Sequence, residues 1–207
     1  MAILISLPVH ELSHGFTARL FGDYTAQNRG RLTLNPLKHL DPIGTIMLLT
    51  LGFGWAKPVP VNINNFSNPK IKMAIVSLMG PVSNILLALI GTAFYKIAVI
   101  LNLAKIGGVF IIYLMTFFNY FVMINLLLAV FNLIPIPPLD GSRIIMAFLP
   151  SKYYNFVMKY EQVGLVVIMA LLFFNVLDTP LHICMTFLFK LCDLLFSPIE
   201  IIQRFIA

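Results

Sequence analysis

Charged residues are scarce in this sequence. Only 11% of its 207 residues are charged, whereas 59% are hydrophobic and the mean hydropathy is +0.93. A soluble domain of this length has no use for so much apolar surface, but a bundle of membrane helices requires it. The composition therefore excludes an ordinary soluble protein and predicts an all-α polytopic membrane protein. No linker rich in glycine or serine divides the chain, so residues 1–207 are expected to form a single membrane-embedded domain.

Cysteine is rarer still, with Cys184 and Cys192 the only two in the chain. They lie eight residues apart in one predicted helix, hence about 12 Å apart, too far to form a disulfide. This spacing excludes a disulfide framework and a cysteine-based zinc site. The net charge of +6 comes from lysines and arginines spread between apolar runs. That pattern is typical of loops at an anionic membrane surface, so we expect a lipid bilayer as partner and no nucleic acid.

Apolar segments predict about five transmembrane helices, at residues 1–21, 71–95, 108–132, 161–177 and 181–196. Between helices one and two the chain is rich in glycine, proline and asparagine. Within it, residues 31–34 alternate like a short strand. Residues 52–61 are typical of a strand or hairpin that prolines keep from regular pairing. Residues 43–51 are apolar but too short to span. We therefore predict a small membrane-associated β-hairpin and re-entrant region between helices one and two.

The distribution of basic residues predicts the topology. The two most basic connections, 23–72 and 143–159, are separated by two crossings, so they lie on one side, which is cytosolic by the positive-inside rule. Five spans then place the N-terminus outside and the C-terminus inside. Lys96 and Lys105 fall on the outer side, against the rule. The absence of a targeting segment or disulfide favours a prokaryotic cell membrane, with multi-pass insertion.

The sequence His10-Glu11-Leu12-Ser13-His14 lies inside the first apolar run. Two histidines four residues apart fall on one face of an α-helix, where both imidazoles can bind one Zn²⁺. Glu11 lies alongside and could act on a metal-bound water. Taken alone, this stretch could instead contain two buried core histidines that are hydrogen-bonded to their neighbours.

A catalytic zinc usually has three protein ligands and leaves one position for water. The extended soluble pattern would need glycine at Thr17 and histidine at Leu20, and no glutamate lies between Glu11 and Glu161. The usual third ligands of soluble zinc peptidases are therefore excluded. The candidates that remain are Asp23, His39, Asp41, Asp140 and more distant residues.

Among these, Asp140 is favoured. His10 lies about 17 Å from the cytosolic end of helix one. Asp140 follows the cytosolic end of helix three, after a proline-broken segment that can fold back to the same depth. An ionisable residue at that depth must be buried in protein or line a cavity, and a metal would satisfy it. Its alternative role is the N-cap of a short helix at 141–149. His39 is the second candidate, with an exposed loop position as its alternative.

Three separated motifs together resemble the site-2 protease family, peptidase family M50, of zinc intramembrane metalloproteases. The motifs are His10-Glu11-x-x-His14, Gly80-Pro81-x-x-Asn84 and Asn132-x-x-Pro135-x-Pro137-x-Leu139-Asp140-Gly141. Residues 31–39 and 54–60 are similar to the compact prokaryotic branch, which has no PDZ domain. The resemblance covers the core motifs at 5–149 and leaves the C-terminal helices at 150–207 without a motif. The short lead before His10 departs from longer relatives, which have an additional span upstream.

The resemblance implies a zinc metalloprotease that hydrolyses peptide bonds of membrane-spanning or membrane-tethered protein substrates. It implies that one Zn²⁺ is held by His10, His14 and Asp140, and that Glu11 is the general base. It further implies that Asn132 and Asn84 bind the substrate or the developing oxyanion. Residues 52–54 look like the family's membrane-dipping β-loop. An exposed strand at 53–61 could then pair with an extended substrate.

Other functions remain open at this stage. In a metal transporter the histidine pair would be a transit site, but carboxylates and histidines would be expected on several spans. A non-catalytic scaffold could bind metal and hold a membrane partner. A protease that trims lipidated peptides shares the histidine pair but would need a glutamate ligand, which is absent. The substitution Glu11→Gln separates these classes. In a protease it abolishes cleavage and leaves zinc bound, whereas a transporter or a scaffold should be less affected.

Overall fold

The computed structural model describes residues 1–51, 54–101, 103, 107–150 and 160–206. The regular secondary structure of these residues is helical, with single 3₁₀ turns at Pro36–Lys38 and Ile63–Asn65. The α-helices are α1 (Ala2–Leu20), α2 (Thr25–Asn28), α3 (Pro42–Leu51), α4 (Pro69–Ile100), α5 (Gly108–Asn132), α6 (Asp140–Met146), α7 (Glu161–Phe173) and α8 (Asp178–Ile206). The predicted all-α class is confirmed for the described residues, and α5 has the predicted bounds.

Three helices in the described part of the chain are long and apolar enough to cross a bilayer. They are α4, α5 and the Asp178–Phe196 part of α8. This finding corrects the prediction of about five spans. Helix α7 has 13 residues, about 20 Å of helix, which is shorter than a hydrocarbon core of about 30 Å. Helix α1 has 19 residues but is interrupted by polar side chains, namely His10, Glu11, His14 and Arg19.

The predicted β-hairpin is not supported. Between α1 and α4 the described residues contain no strand, and one isolated antiparallel bridge joins Leu40 to Ala56. Prolines at positions 58 and 60 have no N–H to donate to a ladder, which explains why regular pairing fails here. Gly52 and Phe53, part of the expected β-loop, lie outside the described residues. The apolar stretch predicted as re-entrant or interfacial forms α3.

Helix α4 is the centre of the fold, because α1, α5, α6 and α8 all pack against it. Two apolar clusters lie along it. One joins α4 to α1 and to the segment before α4, through Ala18, Phe66, Met73 and Val76. The other joins α4 to α5 and α8, through Ala88, Val122, Leu126 and Cys192. The first cluster fixes α1 against the N-terminal half of α4, where the site described below lies.

The connection between α1 and α4 is held together by a buried aspartate. Asp23 is fully buried, and its carboxylate accepts hydrogen bonds from the backbone N–H and hydroxyl of Thr25. It also accepts from the backbone N–H of Asn62 and from Nδ2 of Asn65, each at 2.7 Å. Burial raises the pKa of Asp23, but these hydrogen bonds outweigh it and hold the pKa below its usual value. The two ends of the connection are thereby tied to the end of α1.

Candidate metal centre

Three side chains from two distant parts of the chain converge between α1, α4 and α6. Nε2 of His10 and Nε2 of His14 are 3.0 Å apart. Each lies 3.2 Å from Oδ2 of Asp140. All three residues are buried, and they form the one group of potential metal ligands found among the described residues. The predicted pairing of the histidines with Asp140 is therefore present in the geometry.

The size of this triangle fits a zinc ion. Tetrahedral coordination with ligands at about 2.0–2.1 Å from Zn²⁺ separates neighbouring ligand atoms by about 3.3 Å. The three observed separations are 3.0, 3.2 and 3.2 Å. Two nitrogens and one carboxylate oxygen are also the donor types that zinc prefers in catalytic sites, where a fourth position stays open.

The hydrogen-bond partner of Nδ1 determines which nitrogen of each neutral imidazole ring carries the proton. Nδ1 of His14 donates to the backbone carbonyl of Val76 at 2.8 Å, and Nδ1 of His10 donates to Oδ1 of Asn84 at 3.2 Å. Since these oxygens only accept, each neutral ring keeps a lone pair on Nε2. Two lone pairs and a carboxylate then face one another, an arrangement that a cation stabilises.

Helix α4 reaches the histidines because residue 80 is glycine. A Cβ atom at Gly80 would lie 2.4 Å from Cε1 of His14 and 2.5 Å from Cε1 of His10. Any side chain there would overlap both rings. Asn84 follows one turn later on the same face of α4, which places its amide oxygen against His10. The motif Gly80-Pro81-x-x-Asn84 therefore builds the wall of the site that supports the rings.

Asp140 is delivered by the turn between α5 and α6. It is the first residue of α6, preceded by Leu139 as N-cap. A Cβ atom at Gly141 would lie 2.1 Å from the carbonyl oxygen of Leu133, so the turn folds tightly back on the end of α5. The alternative that Asp140 is merely an N-cap is not observed, because its carboxylate faces the histidines.

Glu11 is buried beside the histidines on α1, with 9% of its surface exposed. Its Oε2 accepts a hydrogen bond from the backbone N–H of Val59 at 2.8 Å. Val59 belongs to the irregular segment that replaces the predicted hairpin. Sequence reasoning could not connect Val59 with Glu11, because a backbone N–H has no residue-specific signal. The same holds for the Val76 carbonyl that orients His14.

The remaining predicted residues lie outside the three-residue cluster. His39 is buried rather than exposed, and its Nε2 donates to the carbonyl of Thr33 at 2.8 Å. Asp23 organises the connection described above. Asp41 accepts from the backbone N–H of Gly44 at the start of α3. The side chain of Asn132 donates to the carbonyl of Leu128 within α5 at 2.9 Å.

Comparisons with known proteins agree with this geometry. The family model described as "Peptidase family M50" matches residues 1–175. "Putative zinc metalloprotease YwhC" of Bacillus subtilis is 43% identical over 171 residues, which cover 83% of this chain and 78% of that protein. "Putative zinc metalloprotease Rip2" of Mycolicibacterium smegmatis is 33% identical over 178 residues, covering 82% of this chain and 64% of the relative.

A more distant relative is "Putative zinc metalloprotease MJ0611" of Methanocaldococcus jannaschii. It is 29% identical over 140 residues, which cover 66% of this chain and 62% of that protein. No solved structure matches the chain. With three helices suited to a bilayer and a donor set suited to zinc, this chain belongs to peptidase family M50 and is a membrane-associated zinc metalloprotease.

Proposed function

We propose that this protein is an intramembrane endopeptidase that hydrolyses transmembrane or membrane-adjacent protein substrates. In this proposal one Zn²⁺ is held by His10, His14 and Asp140, and Glu11 is the general base. The convergence of Nε2 of His10, Nε2 of His14 and a buried carboxylate oxygen of Asp140 carries the proposal. Residues 1–207 are proposed to act as one membrane-embedded unit.

The position of the centre along the helices supports cleavage within or near the membrane. His10 lies ten residues before the end of α1 at Leu20, which is about 15 Å of helix. Its supporting residues, Val76, Gly80 and Asn84, belong to α4, the longest candidate span. The basic connection 23–72 joins the C-terminal end of α1 to the N-terminal end of α4. By the positive-inside rule, the centre then faces the cytosolic side of a cell membrane.

The residues of the site divide the chemical work. When bound, Zn²⁺ supplies a Lewis acid that polarises the substrate carbonyl and acidifies water. Glu11 takes a proton from the attacking water and passes one to the leaving amine. The three proposed zinc ligands, His10, His14 and Asp140, are buried. The substrate must be extended, because a helix uses its carbonyls in its own hydrogen bonds.

Asn84 and Asn132 are proposed as neutral donors to the substrate or the oxyanion. Nδ2 of Asn84 is buried and has no hydrogen-bond partner among the described residues, while its Oδ1 supports His10. It therefore remains available as a donor. Asn132 would have to exchange its bond to Leu128 for one to the substrate. An amide stabilises an oxyanion without adding charge to an apolar site.

The test uses purified protein in proteoliposomes with a panel of quenched-fluorescent single-span peptides, with and without helix-breaking residues in the apolar segment. We expect Glu11→Gln to retain zinc and to lose cleavage by about 10²–10⁴-fold, because proton transfer is removed. Asp140→Asn should lose both zinc and cleavage. The control Asp178→Asn changes an exposed carboxylate at the start of α8 and should alter neither.

Two results would contradict the proposal. Cleavage by Glu11→Gln at the unmodified rate would exclude Glu11 as the base. Retention of one zinc per chain by Asp140→Asn would exclude Asp140 as a ligand. Product analysis in H₂¹⁸O distinguishes hydrolysis from shedding of the fluorophore, because hydrolysis places one ¹⁸O in each new carboxylate.

A further inference from the structure

The backbone of residues 57–59, here called the strap, crosses α1 at Glu11. The N–H of Val59 donates to Oε2 of Glu11 at 2.8 Å. Both partners are buried, with 7% of Val59 and 9% of Glu11 exposed. A hydrogen bond to a carboxylate that is shielded from water is directional and stronger than one at the surface.

The sequence of the strap leaves it one donor at this point. Val59 stands between Pro58 and Pro60, and proline has no backbone N–H. The N–H of Val59 is thus the single backbone donor of residues 58–60. The proline rings also restrict φ at their own positions and the conformation of the residue before each. The segment is therefore stiff, and its donor has a defined direction.

Contacts with other residues hold the strap independently of Glu11. Nη2 of Arg31 donates to the carbonyl of Lys57 at 2.7 Å and to that of Pro58 at 3.3 Å. The N–H of Lys57 donates to the carbonyl of His39 at 2.8 Å. The Val59 side chain lies against Gly15, where an added Cβ would be 3.0 Å from Cγ1 of Val59. Gly15 is one helical turn from Glu11.

We infer that the Val59 N–H is a positioning group for the Glu11 carboxylate. Holding Oε2 stops rotation about the terminal torsion of the side chain, which is otherwise broad. Oε1 is then left in one orientation for proton transfer, and this preorganisation raises the turnover rate. The inference rests on the proposed role of Glu11 as general base. It assigns the strap a positioning role in place of the substrate-pairing strand expected from the sequence.

The first test removes the donor and keeps every side chain. Replacing Val59 by its α-hydroxy analogue converts the N–H to an ester oxygen and keeps the side chain. The matched control is the same replacement at Val61, which also follows a proline and whose N–H has no acceptor among the described residues. We expect the change at 59 to lower kcat by about tenfold or more. KM should change by less than about twofold, with zinc retained. The change at 61 should leave kcat unaltered.

The second test detects the hydrogen bond between Val59 and Glu11 by amide exchange and does not depend on catalytic activity. Labelling with ¹³C-proline and ¹⁵N-valine restricts the amide spectrum to the Pro-Val pairs, which are Pro8-Val9, Pro58-Val59, Pro60-Val61 and Pro81-Val82. In the full chain in detergent micelles, Glu11→Ala should speed exchange of the Val59 amide by about tenfold, because the acceptor is lost. Glu11→Gln retains an acceptor oxygen and should exchange more slowly than Glu11→Ala. The Val61 amide should not respond.

Several outcomes would overturn the inference. These are an unchanged or higher kcat for the ester at 59, an equal loss at 59 and 61, or loss of zinc from the ester at 59. Equal exchange of the Val59 amide in all three proteins would show that the contact is not made. If Glu11→Gln proves active, the proposed function fails, whereas the exchange experiment still decides whether the contact exists.

Discussion

Two histidine rings leave no room for a side chain at position 80. The atoms that would meet a Cβ at Gly80 belong to rings fixed on their far side by Val76 and Asn84. These rings cannot turn away without losing those hydrogen bonds. The proposed zinc site therefore depends on a missing side chain as much as on its proposed ligands, and we expect packing of α4 against α1 to be coupled to metal binding.

We predict that Gly80→Ala lowers zinc affinity by about 10–100-fold, the range seen when the support of metal-bound histidines is disturbed. Competition with a chromophoric chelator measures the affinity. The matched control is Gly91→Ala in the same helix, whose Cβ would meet side-chain atoms of Val122 and Phe121 at 2.9 and 3.0 Å. Those side chains can adjust, so the control should retain zinc affinity. Equal affinities for Gly80→Ala and the unmodified protein would refute this coupling.

At the scale of elements, the connection between α1 and α4 has little regular secondary structure. Hydrogen bonds to the Asp23 carboxylate hold it together instead. The folded-state pKa of Asp23 lies below its unfolded value. Its contribution to stability is therefore complete above the unfolded pKa and is lost as the pH falls through the folded pKa. Acidification should loosen the connection that carries the strap before it affects the helices.

We predict that Asp23→Asn destabilises this connection by about 2 kcal/mol at neutral pH, since hydrogen bonds to a charged acceptor are replaced. The substitution should also remove the loss of stability of this connection at acidic pH. Trp55 is the single tryptophan of the chain and lies in this connection, so its fluorescence during heating at several pH values reports the change. Asp41→Asn, which affects one hydrogen bond to Gly44, is the control. Identical acid dependence in Asp23→Asn and the unmodified protein would contradict the prediction.

For the whole molecule, the proposed metal centre would join α1 to α6, and both helices pack on α4. A ligand that binds only the folded state stabilises it in proportion to the logarithm of its concentration over Kd. A second cross-connection, the ion pair of Lys96 with Asp193, joins α4 to α8 away from the centre. The two connections can therefore be tested separately.

We predict that chelation of zinc lowers the Tm of the unmodified protein by about 10 °C, which corresponds to about 4 kcal/mol at a zinc concentration of about 1,000 Kd. Asp140→Asn should show a low Tm that chelation does not change. Asp193→Asn breaks the other connection and should keep the zinc-dependent shift. Circular dichroism during heating measures all three. A zinc-dependent shift in Asp140→Asn equal to that of the unmodified protein would contradict the prediction.

The sequence alone determined those features that depend on local periodicity and composition. Hydrophobic content indicated a membrane protein, and the bounds of α5 follow from an apolar run that ends before a proline-rich turn. The four-residue spacing of His10 and His14 places them on one helical face whatever the rest of the chain does. Motif resemblance then connected them with Asp140. The prediction of about five spans from apolar segments was wrong. Helix α1 carries polar site residues within its apolar run, and α7 is too short to cross a bilayer.

Only the tertiary structure decided which backbone groups support the site. The Val76 carbonyl, the Val59 N–H and the approach of Gly80 depend on how α4 and the strap pack against α1. The expected hairpin does not form, because Pro58 and Pro60 have no N–H to donate to a ladder. Its polar backbone is satisfied by Arg31, His39 and Glu11 instead of by a neighbouring strand. Every residue carries the same N–H and C=O apart from proline, so their partners follow from packing over long sequence distances and leave no pattern in the sequence.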